Sequence, residues 1–310
     1  MDFPPWILCL VAFLAANLAQ AACGAHGVAV QVLGSAGPVA ADARASSGYL
    51  LRLDGRSRIL VDAGGGVFLR FGEAGARIED LDLIAITHFH ADHVADLPAL
   101  VKSGFFSERT RPLAISGPDG GGEFPALTEF LRAEFDADHG AFRYLSGALD
   151  GSAGLFKLVP VEIAASAKTP ITAFHSDAFA VEAIGVPHGP VPALAYRIDV
   201  RGLHIVFSGD QNGGEPAFWA LARDADLLVM AHAVPENADP VARKLHALPS
   251  VIGSNAAKSN VRHLLLSHLM ARSLDTLAEN LAIMRRNYHG PIDVAKDLGC
   301  YPVHAAINAK

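Results

Sequence analysis

Short apolar runs, many of them rich in β-branched residues and bounded by turn residues, set the rhythm of the chain. Val28–Leu33, Gly48–Leu53 and Arg58–Val61 read as strands, the last ending in Asp62-Ala63-Gly64. Asp82–Thr87 predicts a buried strand that runs directly into a histidine-rich turn, and Asp92–Lys102 predicts a helix. A second block follows: strands Leu155–Ile163, Phe179–Val186, Ala193–Val200 and Leu203–Phe207, then helical Glu215–Arg223 and strand Asp226–Met230. Helical Asp239–Ala247 and Ser250–Lys258, strand Arg262–Ser267 and helix Leu274–Tyr288 close the pattern. Two strand-rich halves on one plan predict an α/β fold, two sheets face to face with helices outside, in four αββα layers. Residues 117–176 show the weakest pattern and read as an insertion in an otherwise single domain, 22–310.

The N-terminus has its own character. Trp6–Ala16 is an unbroken apolar run too short to cross a hydrocarbon core of about 30 Å. The small residues of Ala19-Gln20-Ala21 follow it, which predicts a cleaved secretory signal over residues 1–21. The start MDFPPW lacks the usual basic residue, so a retained anchor or a lipid on Cys23 are the alternatives. The expected location is therefore exported, periplasmic or secreted, with no stable membrane insertion once the signal is gone. Loss of Cys9 with the signal leaves Cys23 and Cys300, a candidate disulfide in an oxidising compartment or two unrelated small buried residues.

Composition narrows the classes. Hydrophobic residues make up 51% and charged ones 18%, which excludes a disordered chain. Lys plus Arg is 25 against 32 Asp plus Glu, a net charge of −7, so a chain-wide basic surface for nucleic acid is excluded. Three cysteines without a CxxC pair exclude a disulfide scaffold and a cysteine zinc knot.

The 14 histidines are the candidate chemistry. In Thr87-His88-Phe89-His90-Ala91-Asp92-His93, His88 and His90 project to one side of an extended strand end, so one metal can take both imidazoles. Asp92 and His93, on the turn into the helix, can reach a second metal nearby. Imidazole with carboxylate suits zinc, with manganese or iron as alternatives. The Gly64–Gly66 and Gly120–Gly122 runs lack the Lys-Ser/Thr of a phosphate loop and read as turns. The apolar stretch around Phe105-Phe106 and Phe124–Phe135 is either an aromatic substrate pocket or ordinary core. His139 and His175 sit in no motif.

The HxHxDH segment resembles the metallo-β-lactamase superfamily, and further strand ends match in order: Val186-Pro187-His188-Gly189, Phe207-Ser208-Gly209-Asp210 and Leu264-Leu265-Leu266-Ser267-His268. The resemblance implies that His88, His90 and His188 hold one zinc and Asp92, His93 and His268 a second, with Asp210 bridging. Asp62 matches an aspartate that supports the ligand loop. Such a pair of metals makes hydroxide available from a bridging water at neutral pH.

Lys244-Leu245-His246-Ala247 before the last ligand is similar to the ribonuclease Z-like branch, where a histidine at this place protonates the leaving group. The resemblance makes Asp92 and His246 the candidate catalytic residues. His232-Ala233 stands where that branch has a histidine followed by an acidic residue, so His232 is a candidate support for His268 and Glu236 a speculative partner for His246. Ribonuclease Z carries a long tRNA-gripping arm between the third histidine and the bridging aspartate; 21 residues separate His188 from Asp210, too few for it. The expectation is an exported dinuclear zinc hydrolase of small phosphodiesters or aryl sulfate esters, with no tRNA or other nucleic acid as partner. A lactonase or lactamase on the same metals, and a catalytically silent metal-binding protein, are the competing readings.

Overall fold

The structure, a computed structural model, describes residues 23–40 and 43–305. Fourteen strands are described: β1 (Val28–Gly34), β2 (Gly48–Leu53), β3 (Arg56–Val61), β4 (Leu83–Ala85), β5 (Leu113–Pro118), β6 (Leu158–Ile163), β7 (Ile171–His175), β8 (Phe179–His188), β9 (Val191–Val200), β10 (Leu203–Phe207), β11 (Leu227–Ala231), β12 (Leu264–Ser267), β13 (Ile292–Val294) and β14 (Cys300–Val303). One sheet runs β14-β1-β2-β3-β4-β5-β6 and the other β13-β12-β11-β10-β9-β8-β7. Each starts with antiparallel hairpins and changes to parallel pairing, at β3/β4 in the first and at β10/β11 in the second. The expected αββα sandwich is what forms.

Three apolar layers explain the arrangement. The inner faces of both sheets meet in one core, from Val30, Leu51 and Ile59 on one side to Leu194, Ile198 and Ile205 on the other. Each such side chain, fully removed from water, contributes roughly 1.5–3 kcal/mol. The outer face of the first sheet is covered by Leu97, Leu100 and Leu131 from helices Leu97–Ser103 and Leu127–Phe135. Phe218, Ile252 and Met284 cover the second sheet's outer face. Strands buried on both faces lose the polar–apolar alternation of a half-exposed sheet. Two tyrosines bridge the sheets: the Tyr196 hydroxyl donates to Ile86 O at 3.0 Å and the Tyr49 hydroxyl to Ser267 Oγ at 2.9 Å.

Several boundaries differ from expectation. The helix expected over Asp92–Lys102 is two helices, Ala91–Val94 and Leu97–Ser103, because Pro98 lacks an N–H and starts a new turn. The helix expected over Leu274–Tyr288 forms over Leu277–Met284, and a separate short helix, Ala271–Leu274, precedes it. Residues 117–176 are not an insertion. They hold the crossover from β5 to its parallel neighbour β6, including the helix Leu127–Phe135, and then the edge strand β7.

The signal segment 1–21 lies outside the described residues. Among the described residues, no helix is long and apolar enough to cross a membrane. Cys23 and Cys300 form a disulfide across 277 residues of chain. The bond leaves no Cys23 thiol for a lipid, and it fastens β14 beside β1, where Cys300 faces Gln31. We predict that Cys300→Ser lowers unfolding stability by roughly 2–5 kcal/mol. Denaturant midpoints measured with and without reductant check this: the wild type should converge on the variant only when reduced.

Candidate metal centre

The rim is where five strand ends converge. β3 and β4 run parallel with Val61 beside Ala85, so the residues after them meet, and Asp62 N–H donates to Ala85 O at 2.9 Å. Asp62 takes a left-handed backbone (φ 60°), which aspartate tolerates better than most residues. Its carboxylate then accepts from Thr87 N–H at 2.8 Å, from the Thr87 hydroxyl at 2.9 Å and from His93 Nδ1 at 2.8 Å. With its proton given to Asp62, the Thr87 hydroxyl accepts from His88 Nδ1 at 3.0 Å. Both rings are thereby fixed in the tautomer that leaves Nε2 unprotonated and facing the rim. His188 is set the same way, its Nδ1 donating to Leu245 O at 2.9 Å.

The donor atoms lie close together in four overlapping groups. His88 Nε2 lies 3.0 Å from His90 Nδ1, which is 3.4 Å from His188 Nε2. Asp92 Oδ2 lies 3.2 Å from His268 Nε2 and 3.5 Å from His93 Nε2. Asp210 Oδ2 stands between the sets, 3.1 Å from His268 Nε2 and 3.8 Å from both His93 Nε2 and His188 Nε2. His88, His90 and His188 make one group and Asp92, His93 and His268 another; His88, His93 and Asp210, and His188, Asp210 and His246, make two more that overlap them.

Close backbone approaches hold two of these residues in place. Gly37 donates to Leu269 O at 3.3 Å, and a Cβ on it would lie 2.6 Å from His268 Cε1. Gly209, at φ +55°, sits where a Cβ would lie 2.3 Å from Leu194 O, and it delivers Asp210 to the rim.

The electrostatics test whether a cation fits. Burial opposes charge on His93 and His268, yet the carboxylates of Asp62, Asp92 and Asp210 outweigh it and lift both, His268 to about 9. Burial pushes His88 down, with the neighbouring His93 adding to the effect. Burial works to raise the Asp92 and Asp210 carboxyls, but the imidazoles beside them hold both well below the usual range. The carboxylates thus favour positive charge at a place where His88, His90 and His188, pushed down by burial, resist taking it as protons. His93 Nε2 and Asp210 Oδ1 are buried without a hydrogen-bond partner, which in a native interior calls for a ligand. Imidazole and carboxylate donors, converging and buried, fit a borderline divalent metal such as zinc.

His246 follows the helix Pro240–Leu245 on an extended backbone and is buried beside the cluster, its Nδ1 3.9 Å from Asp210 Oδ2. Its ring centroid is 5.4 Å from His188 and 5.5 Å from His268. Burial pushes its pKa down to about 3. Glu236 is not its partner: that carboxylate accepts from Ser250 N–H at 2.9 Å and from the Ser250 hydroxyl at 2.6 Å, at the start of helix Pro249–Lys258. His232 stays out of the cluster. Its backbone N–H donates to Ser267 O at 2.8 Å and Asn280 donates to its Nε2 at 3.3 Å, so it touches His268 only through the strand that carries it. His139 and His175 are exposed.

The Phe124–Phe135 stretch, read from sequence as either an aromatic pocket or ordinary core, divides between the two. Of the Phe124–Phe135 stretch, only Phe124 reaches the cluster, its ring centroid 5.7 Å from His90 in an edge-on contact. Phe130 stacks on Phe89 and Phe135 is fully buried, while Phe105 and Phe106 flank Lys102.

Known proteins resemble this chain along most of its length. The β-lactamase superfamily domain matches residues 57–269. Ribonuclease Z of Methanosarcina acetivorans is 27% identical over 297 residues, covering 87% of this chain and 96% of that protein. Ribonuclease Z of Mycobacterium marinum is 26% identical over 292 residues, covering 90% of this chain and 99% of that protein. Among solved structures, human tRNase Z, short form, superposes with a TM-score of 0.70 at 20% identity, covering 89% of this chain and all 100% of that one. The metallo-β-lactamase fold protein YhfI of Bacillus subtilis gives 0.67 at 22% identity, covering 88% and 98%.

These relatives overturn two expectations. A hydrolase of small phosphodiesters or aryl sulfates, with lactones or lactams as the alternative, does not stand against relatives that are ribonucleases by name. The exclusion of nucleic acid falls with it. That exclusion rested on the missing arm between His188 and Asp210 and on expected export; the arm is one grip on tRNA, and its absence does not decide which phosphodiester meets the donors of the rim.

We predict that Asp62→Asn weakens metal affinity by about 10- to 100-fold, since it removes the acceptor that orients His93 and Thr87. Chelator competition on the purified variant checks this, with a stability measurement to show that it folds.

Proposed function

We propose that this chain, which belongs to the metallo-β-lactamase superfamily and is a metal-dependent hydrolase acting on ester bonds, cleaves phosphodiester bonds of RNA at the rim of its two sheets. The reading is supported by names of relatives that match nearly end to end, and one observation in the site carries it: the buried His246 beside Asp210. RNA expels a poor alkoxide, so a proton donor at the leaving oxygen is needed, whereas esters of acidic phenols leave without one.

Divalent metal held by His88, His90, His188, Asp92, His93, Asp210 and His268 would supply an activated water and stabilise the phosphoryl charge. Two zinc ions are the complement we propose, because His88, His90 and His188 share no donor with Asp92, His93 and His268, and Asp210 approaches residues of both groups. The remaining work falls to side chains of the chain. Asp62 and Thr87 keep the Nε2 atoms of His88 and His93 aimed at the rim. Burial keeps His246 neutral until a phosphate anion lies beside it, and that anion favours proton uptake on the imidazole. His246 then passes the proton to the departing oxygen. Asp92, a ligand candidate, shares the rim with it and completes the polar wall.

For location we propose an oxidising compartment, supported by the Cys23–Cys300 bond.

The test is a labelled RNA with a 3′ extension incubated with metal-loaded enzyme. We expect cleavage that chelator abolishes and added zinc restores; no cleavage of any RNA by fully loaded enzyme would overturn the proposal. His246→Ala should lower kcat on that RNA by about 10²–10⁴-fold, with bound metal unchanged. On a p-nitrophenyl phosphodiester, whose leaving group needs no proton, the same substitution should cost less than about tenfold.

A further inference from the structure

His90 is the one histidine among the seven ligand candidates that is not fully buried, so the cluster meets solvent on its side. Phe124 stands there. It is half-buried, and its ring meets that of His90 in a T-shaped contact, centroids 5.7 Å apart at an interplanar angle of 65°. The tight hairpin that carries it is well fixed. Gly120, Gly121 and Gly122 take φ values of +81°, +145° and +60°, and Gly121 and Phe124 exchange backbone hydrogen bonds of 3.0 and 3.1 Å. A Cβ on Gly121 would touch Pro192 Cγ at 3.4 Å, so the hairpin leans on the start of β9. Between these glycines and the β8–β9 turn, an open groove of about 510 Å³ leads to His188.

The hairpin therefore borders two of the three donors of one metal set, His90 through Phe124 and His188 through the groove. The aromatic rings nearby are committed elsewhere: Phe89 to Phe130 at 4.7 Å, and Phe135 to the core. A phosphodiester seated on the rim has a nucleoside on each side, and a base stacks on an aromatic face whatever its identity.

We propose that Phe124 is the stacking platform for the nucleobase flanking the scissile phosphate, making it a specificity-determining residue of the site. The inference rests on the reading of the substrate as RNA given above. A merely structural Phe124, holding His90 by its edge, would act on every substrate alike.

The experiment uses metal-loaded wild type, Phe124→Ala and Phe124→Trp on two RNA oligonucleotides. One is intact and the other is abasic at the nucleotides flanking the cleaved bond. We expect Phe124→Ala to raise KM on the intact RNA about tenfold with kcat and bound metal little changed, to leave the abasic RNA unaffected, and to be rescued by Phe124→Trp. Equal losses on both RNAs, or loss of metal, would overturn the inference, as would wild-type behaviour of Phe124→Ala on the intact RNA. Failure of the wild type to cleave either RNA would instead overturn the RNA reading itself, and this inference with it.

Discussion

Imidazole and carboxylate groups buried together with their lone pairs aimed at one another are costly unless a positive charge sits among them. That constraint organises one end of this molecule. Asp210 stands within 3.1–3.8 Å of three histidine nitrogens, and the carboxylates around His93 and His268 lift both imidazoles against the effect of burial. No apolar packing explains such a cluster; a bound cation does. The fold makes the cluster affordable by placing it at the rim of the apolar core, where side chains from both sheets can be oriented by hydrogen bonds from behind.

The orientation comes from backbone geometry more than from the ligands themselves. Parallel pairing of β3 with β4 brings Asp62 against Thr87, and the three bonds accepted by that one carboxylate set two imidazole tautomers. On the opposite sheet, Gly209 permits the approach to Leu194 O that delivers Asp210, and Gly37 leaves room for the His268 ring. The two sheets are joined at the same level, where Leu194 N–H donates to Thr87 O at 2.9 Å. A shift of either sheet would therefore separate the two donor sets. Function at this rim depends on the inter-sheet core as directly as on the ligands.

The metal donors were legible in the sequence because each stands directly after an apolar strand, and a polar cluster there has few structural explanations. The central strands β2, β3, β8, β9 and β10 were legible as largely apolar runs bounded by turn residues. β5 was not: its sequence LAISGP is short and ends in Gly-Pro, which reads as a turn until a parallel partner, β6, supplies the ladder. The helix Leu127–Phe135 was hidden by the Gly- and Pro-rich segment before it. Glu236 was misplaced because sequence proximity to His246 does not say which N–H groups a carboxylate faces, and Ser250 claims both oxygens. Phe124 belongs to no motif; only the hairpin that carries it shows its contact with His90. The substrate class was misjudged from the missing arm between His188 and Asp210 and from expected export, neither of which bears on the chemistry of the donors at the rim.

The central claim is that the donors hold two metals and leave His246 free to move a proton. His246 can also be grouped with His188 and Asp210 as a ligand set, which would remove it from acid chemistry. A crystal structure of the zinc-loaded protein, with anomalous scattering recorded on both sides of the zinc absorption edge, decides directly. The account predicts two peaks, one among His88, His90 and His188 and one among Asp92, His93 and His268, with Asp210 touching both and His246 touching neither. A single peak, or zinc coordinated by His246, would contradict it.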